Sequence, residues 1–233
     1  MASGRWRIAS GLLVVPAVVG GLAGCSGGGS STSSAATTAS NGGFSAAKLQ
    51  KALLTEVNGV AAAAKPTSGK YSAVSQASAS KSAVAKAQVT PKACSQAATE
   101  GFDPTALAGA PAAAVTFRVG TNGVSEVLVS STDKSASTAL AGNVPAECAK
   151  YSETIGGKTY TYGVEEKSVS GIGSQAKVLN VHAVGANSDD LWSLIYRGTG
   201  FVGTVTVVGP NASEAAVKQL GQQAYAFAVK SLA

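Results

Sequence analysis

Residues 191–208 read LWSLIYRGTGFVGTVTVV. Two runs rich in aliphatic, β-branched and aromatic residues, Leu191 to Arg197 and Phe201 to Val208, flank Gly198-Thr199-Gly200. Side chains alternate along an extended backbone, and glycine reaches turn conformations that other residues avoid, so this stretch predicts a β-hairpin. Just beyond it, Asn211 or Ser213 is placed to cap a helix on which Val217, Leu220, Ala224, Phe227 and Ala228 form one apolar stripe.

The same grammar recurs upstream. Ala113 to Val119 and Val124 to Ser130 make a second hairpin about Gly120-Thr121-Asn122-Gly123. Thr159 to Val169, with Tyr160, Tyr162 and Val164 on one face, and the β-branched run Val178 to Val184 add two strands. Ser45 caps a first helix running to about Asn58, with Leu49, Leu53 and Val57 on one face and Gly59 closing it. Ser135 to Leu140 reads as helical, and Pro91 to Cys94 and Pro145 to Ser152 as short helices. Residues 61–90 carry little periodicity; Lys81 to Ala87 is their best helical stretch, after the breakers Pro66 and Gly69. The expected fold is α+β: an antiparallel β-sheet of about six strands, flanked by helices packed against one face.

Residues 1–24 read as an export leader. Arg5 and Arg7 give it a positive start, and Ile8 to Val19 a short apolar core interrupted by Gly11 and Pro16. That core is shorter than the roughly 20 apolar residues a spanning helix needs. Leu22-Ala23-Gly24-Cys25 then matches the bacterial lipobox. The expectation is cleavage before Cys25 and acylation of its thiol, with two or more chains giving stable anchoring. The bland alternative is an ordinary cleavage site beside an incidental cysteine, but Ser26 to Gly43 is an uncharged Gly/Ser/Thr/Ala stretch suited to a tether. The expected organisation is a lipoprotein signal peptide over 1–24, a lipidated Cys25 with a flexible linker to 43, and an extracytoplasmic domain over 44–233. The expected localisation is the outer side of the cell membrane.

The chain carries 18 basic and 12 acidic residues; without Arg5 and Arg7 the mature part has 16 against 12, or +4. Its lysines are scattered and not interleaved with aromatics, which argues against a nucleic-acid partner. Setting Cys25 aside leaves Cys94 and Cys148, an even number, which in an oxidising compartment reads as one disulfide. Two free buried thiols are the alternative. These cysteines and His182 lack the close ligand spacing of a metal site, and no cofactor is expected.

Val144-Pro145-Ala146-Glu147-Cys148-Ala149 resembles the Pro-x-x-Cys-Ala element of an actinobacterial sensor-like domain, carried outside the membrane by the mycobacterial receptor kinase PknH and by many mycobacterial lipoproteins. The Gly198–Val202 hairpin after Trp192 and the closing helix around Ala215, Leu220 and Ala224 agree with it, so the resemblance spans about residues 45–233. It implies an antiparallel sheet flanked by helices with a ligand groove, and it makes Cys148 half of a disulfide. The kinase's domain has two disulfides where this chain has cysteines for one, which puts any groove wall held by the missing bridge in doubt.

Candidate chemistry is sparse. Ser45-Ala46-Ala47-Lys48 has the Ser-x-x-Lys spacing of serine β-lactamases and penicillin-binding proteins, and Lys158-Thr159-Tyr160 and Asn187-Ser188-Asp189 faintly echo their other elements. Ser45 directly follows the linker, so a helix cap explains the same letters better. His182 sits in a strand without a triad partner. Glu165-Glu166 and Asp189-Asp190 lack the alternating oxygen ligands of a calcium loop. Trp192, Tyr196, Phe201, Tyr160 and Tyr162 line either an apolar groove or ordinary core, and Arg118 and Arg197 either hold an anion or meet solvent. The expected function is non-catalytic: a sensor-like or ligand-binding lipoprotein whose ligand is a small molecule, a lipid or an envelope protein. The rival reading is a structural lipoprotein that docks on envelope proteins or wall polymer.

Overall fold

The computed structural model describes residues 43–74, 88–95, 104–155, 157–184 and 190–233. In chain order the elements are α1 (Ala46–Lys51), β1 (Glu56–Val57), β2 (Val60–Ala61), β3 (Thr67–Lys70), β4 (Gln88–Thr90), β5 (Pro111–Val119), β6 (Asn122–Ser130) and α2 (Asp133–Ala141). They continue with β7 (Lys150–Ile155), β8 (Lys158–Val169), β9 (Gln175–Ala183), β10 (Asp190–Gly198), β11 (Phe201–Gly209) and α3 (Glu214–Leu232). Short 3₁₀ turns occupy Tyr71–Ala73, Lys92–Ser95, Pro104–Leu107 and Ala146–Cys148. The fold is α+β, but its main sheet has nine strands and not six, in the order β3-β5-β6-β11-β10-β9-β8-β7-β4, every neighbouring pair antiparallel. β1 and β2 form a separate small hairpin.

Both hairpins read from the sequence are present, and β11 joins them in mid-sheet by pairing with β6 and β10. Alternation then divides the core. Ala113, Val115, Phe117, Val124, Leu128, Leu194, Tyr196, Phe201, Val205 and Val207 face α1 and α3, with Val217, Leu220, Ala224 and Ala228 packed on them. Their neighbours Ala112, Ala114, Val129, Ile195 and Val202 face the other way, toward Ala136, Ala139 and Leu140 of α2. Helices therefore cover both faces, which corrects the one-face expectation. Alanine-rich β5 is buried on both sides, as a strand sandwiched between helical layers must be.

α3 is capped by Ser213, whose hydroxyl accepts from Ala216 N at 3.2 Å. Phe227 is only half-buried, whereas Gly221 meets the sheet, where a Cβ would sit 2.5 Å from Leu194 Cδ2. α1 stops at Lys51, well short of Asn58. The Leu54 N–H is taken by Glu126 Oε2 at 2.7 Å, and Asn58 and Gly59 adopt positive φ to turn β1 into β2. Leu49, Leu53 and Val57 are nonetheless all buried, so the apolar spacing was right and the continuous helix was not. The proposed helix at Pro145 to Ser152 is one 3₁₀ turn that gives way to β7 at Lys150. Lys81 to Ala87 lies outside the described residues.

Candidate functional site

The sheet is interrupted in one informative place. β8 pairs with β7 only from Lys158 to Gly163, and Val164 N then donates to Ala149 O at 2.9 Å. Past that bond the chain before β7 leaves the sheet through the Ala146–Cys148 turn, while β8 runs on to Val169 beside β9. Val164 directs its main-chain groups toward the β7 side, so Glu166 and Ser168, of the same parity, turn theirs outward to an edge with no strand beside it among the described residues.

Two notches flank this departure and share Ala149 and Val164 as a common wall. One, of about 360 Å³, is lined on its polar side by Lys150, Glu165 and His182, with Gly163 beneath and Val184 at the rim. The other, of about 350 Å³, lies between residues 143–146 and the open edge at Glu166 and Ser168.

The walls are held rigidly. Cys94 and Cys148 are joined in a disulfide with Cα atoms 5.3 Å apart, and both residues are fully buried. The bridge ties the 3₁₀ turn after β4 to the turn before β7. Tyr151 and Tyr162 stack beside it at 5.4 Å, in a small core with Val164 and Leu179. Burial holds both phenols above their ordinary range, that of Tyr162 up to about 12. On the other side Lys177, 5% exposed, donates to Gly142 O at 2.5 Å and lies 3.6 Å from Glu166. Glu166 Oε2 also accepts from Val144 N at 3.1 Å, so one carboxylate fixes both the ammonium and the loop. Desolvation lowers the Lys177 pKa, and Glu166 opposes that shift.

The residues singled out in the sequence separate clearly. Ser45 is the N-cap of α1, accepting from Lys48 N at 3.2 Å. The Lys48 ammonium donates to Leu232 O at 2.8 Å and lies 5.1 Å over the Phe44 ring. Serine and lysine are thus committed to separate structural contacts. Arg197 donates to Asp133 and Ser137, holding the start of α2 against β10, and Arg118 is exposed. Tyr196 and Phe201 belong to the core, and Trp192 packs partly buried against it. Glu165 pairs with Lys167, which also reaches Glu214. Of the described candidates for chemistry, His182 and Glu165 line the first notch and Glu166 the second, beside Val144, Pro145, Ala146 and Ala149 of the Pro-x-x-Cys-Ala element; Asn187, Ser188 and Asp189, like Cys25, lie outside the described residues.

Two polar residues escaped notice although the strand period contains them. Lys177 shares its face with Leu179, and Glu126 shares its face with Val124 and Leu128, so both were set to point inward. Glu126 is 1% exposed; its Oε1 and the hydroxyl of fully buried Tyr196 have no partner among the described residues. Desolvation raises the Glu126 pKa to about 8, partly offset by the hydrogen bond from Leu54.

No family model and no curated protein matches this chain. Among solved structures, it is similar to the extracellular domain of PknH from Mycobacterium tuberculosis, with 14% identity, a TM-score of 0.48, and 72% of this chain and 83% of that one covered. It is also similar to an uncharacterised Rv0999 ortholog from Mycobacterium smegmatis, with 14% identity, a TM-score of 0.38, and 72% and 86% covered.

Proposed function

We propose that this chain is a lipid-anchored, extracytoplasmic domain of the cell envelope that binds a ligand, in the manner of a sensor or a capture protein, without catalysing a reaction. The observation that carries this reading is the pair of adjoining notches where β8 outruns β7, beside turns that a disulfide and a buried ion pair hold in place. Rigid walls around an open, mixed polar and apolar surface suit recognition. A buried disulfide agrees with an oxidising compartment, and the leader ending at Cys25 supplies the route and the anchor. Ser45 and Lys48 have structural duties, and His182 is oriented by an amide, Asn180, instead of a carboxylate.

The rival, an interaction lipoprotein docking on a protein or wall polymer, is favoured by one feature: the interface between sheet and α3 is filled, and the notches are shallow. The open β8 edge invites strand addition, but Glu165 and Lys167 flank it, and charge is what natural edges use to discourage pairing. A titration of the mature protein with fractionated envelope extract, followed by amide chemical shifts, tests the choice. Shifts clustered at Ala149, Val164 and Glu166, without turnover of the ligand, are expected. Shifts confined to the outer face of α3, or a chemically altered ligand, would reject the reading.

A further inference from the structure

The His182 ring reaches from β9 over Gly163 of β8, so close that a Cβ there would sit 2.5 Å from its Nε2. Its Nδ1 is 3.0 Å from Asn180 Oδ1, and Asn180 Nδ2 donates to Leu191 O at 3.2 Å. That carbonyl, an obligate acceptor, fixes which end of the 5% exposed Asn180 amide faces it. Oδ1, also an acceptor, is left facing the histidine. Nδ1 therefore carries the hydrogen, and in the neutral ring Nε2 is a bare lone pair.

His182 belongs to the lining of the first notch together with Gly163, over which its Nε2 lies, and no described side chain bonds to that nitrogen. Lys150 lines the same notch and takes part in none of the ion pairs among the described residues. Glu165 stands at the edge, 3.8 Å from Lys167, and Asp190 opens β10 on the same face of the sheet. Ala149 and Val164 supply an apolar wall, and Val184, 45% exposed, an apolar rim.

We infer that the first notch takes a neutral, hydroxylated ligand of the saccharide kind, through His182 Nε2 and Lys150 Nζ. This rests on the recognition reading above and names the ligand class for that site. A hydroxyl both donates and accepts, so one group, or two on adjacent carbons, answers a lone pair beside an ammonium. An anion meets the lone pair and the Glu165 carboxylate; a cation meets Lys150. The C–H face of a sugar rests on Val184 and Ala149. A shallow, open site suits a chain crossing the surface, which fits envelope polysaccharide better than an enclosed metabolite.

The mature protein, labelled with ¹⁵N, tests this in two steps. Long-range ¹H–¹⁵N spectra of the His182 ring read the tautomer directly: hydrogen on Nδ1 is expected, and hydrogen on Nε2 overturns the inference. The protein is then titrated with neutral dextran, galactan and mannan oligosaccharides and, separately, with inorganic phosphate. At least one oligosaccharide should shift Gly163, His182 and Val184, and bind about three- to tenfold more weakly in both Lys150→Gln and His182→Phe. Phosphate binding at these residues, with no response to the sugars, overturns the ligand class and leaves the recognition reading standing. Silence at these residues toward every probe overturns the inference, and the envelope-extract titration then decides the broader reading separately.

Discussion

Glu126 is the residue least at home in its surroundings. It lies on the face of β6 that carries Val124 and Leu128, under the turn after α1, with one oxygen bonded to Leu54 N and the other unpartnered. Removing a carboxylate from water is costly, so the group retains its proton to about pH 8, against an ordinary value of 4.5. The nearby titratable groups are Tyr196 on β10 and, stacked edge-on to it, Tyr225 on α3. The folded state holds a proton that the unfolded state has released between those two values. Stability therefore falls as pH rises through that window, with a limiting slope of about 1.4 kcal/mol per pH unit from this group. Glu126→Gln keeps an acceptor for Leu54 N and cannot ionise. Denaturant unfolding at pH 5, 6.5 and 8 should show the native protein weakening relative to this variant as pH rises. Parallel pH dependences would disprove the assignment. Strand alternation places this residue inward, but the buried phenol whose charge it opposes, Tyr196, comes from β10, two strands away, and no local pattern reports that.

Between elements, legibility followed burial. β5, β6, β8, β9, β10, β11, α2 and α3 were all read, because each buries an alternating or helical stripe that hydrophobicity reports. β3, β4 and β7, at or near the two ends of the sheet, were missed. Their sequences, TSGK, QVT and KYSETI, contain few large apolar residues, since a strand near an edge has little core to cover. What places them is pairing with β5, β7 and β8, a nonlocal property. The candidate site was legible only in fragments for the same reason: His182 and Glu166 stood out as letters, but the notch arises from β7 leaving the sheet before β8 ends. The Lys177–Glu166 pair fixes how residues 142–144 lie there. Glu166→Ala leaves a buried ammonium with a single carbonyl and should cost about 3–5 kcal/mol. Replacing both partners, as Glu166→Leu with Lys177→Met, should recover much of that loss, because the double variant strands no charge. A double variant no more stable than Glu166→Ala alone would show that the pair does not act as a unit.

For the whole molecule, the folded domain and its proposed route to the envelope make one physical argument. Its first described residues are fastened to the core: Phe44 N donates to Ser130 Oγ at 3.3 Å, and its ring meets Phe201 edge-on at 6.4 Å. Any pull from the sequence before residue 43 thus enters at the end of β6 and the β10–β11 turn, away from β7 and the notches. None of the described helices is long and apolar enough to cross a membrane; the proposed attachment is through acylated Cys25, read from the leader. The cysteines link the proposed anchor and the fold in one measurement, since an export that exposed Cys25 to lipid transfer would also expose Cys94 and Cys148 to oxidation. Their bridge, between residues 54 apart, contributes on the order of 4 kcal/mol in the chain-entropy model. Intact protein extracted from membranes should have lost residues 1–24 and gained acyl mass, and should release two thiols only after reduction. Cys25→Ser should leave the membrane fraction with the bridge intact and its unfolding midpoint unchanged. Reduction should lower that midpoint and leave the acyl mass in place. An unacylated protein, or free thiols at Cys94 and Cys148 before reduction, would separate the fold from the envelope and remove the compartment on which the proposed function depends.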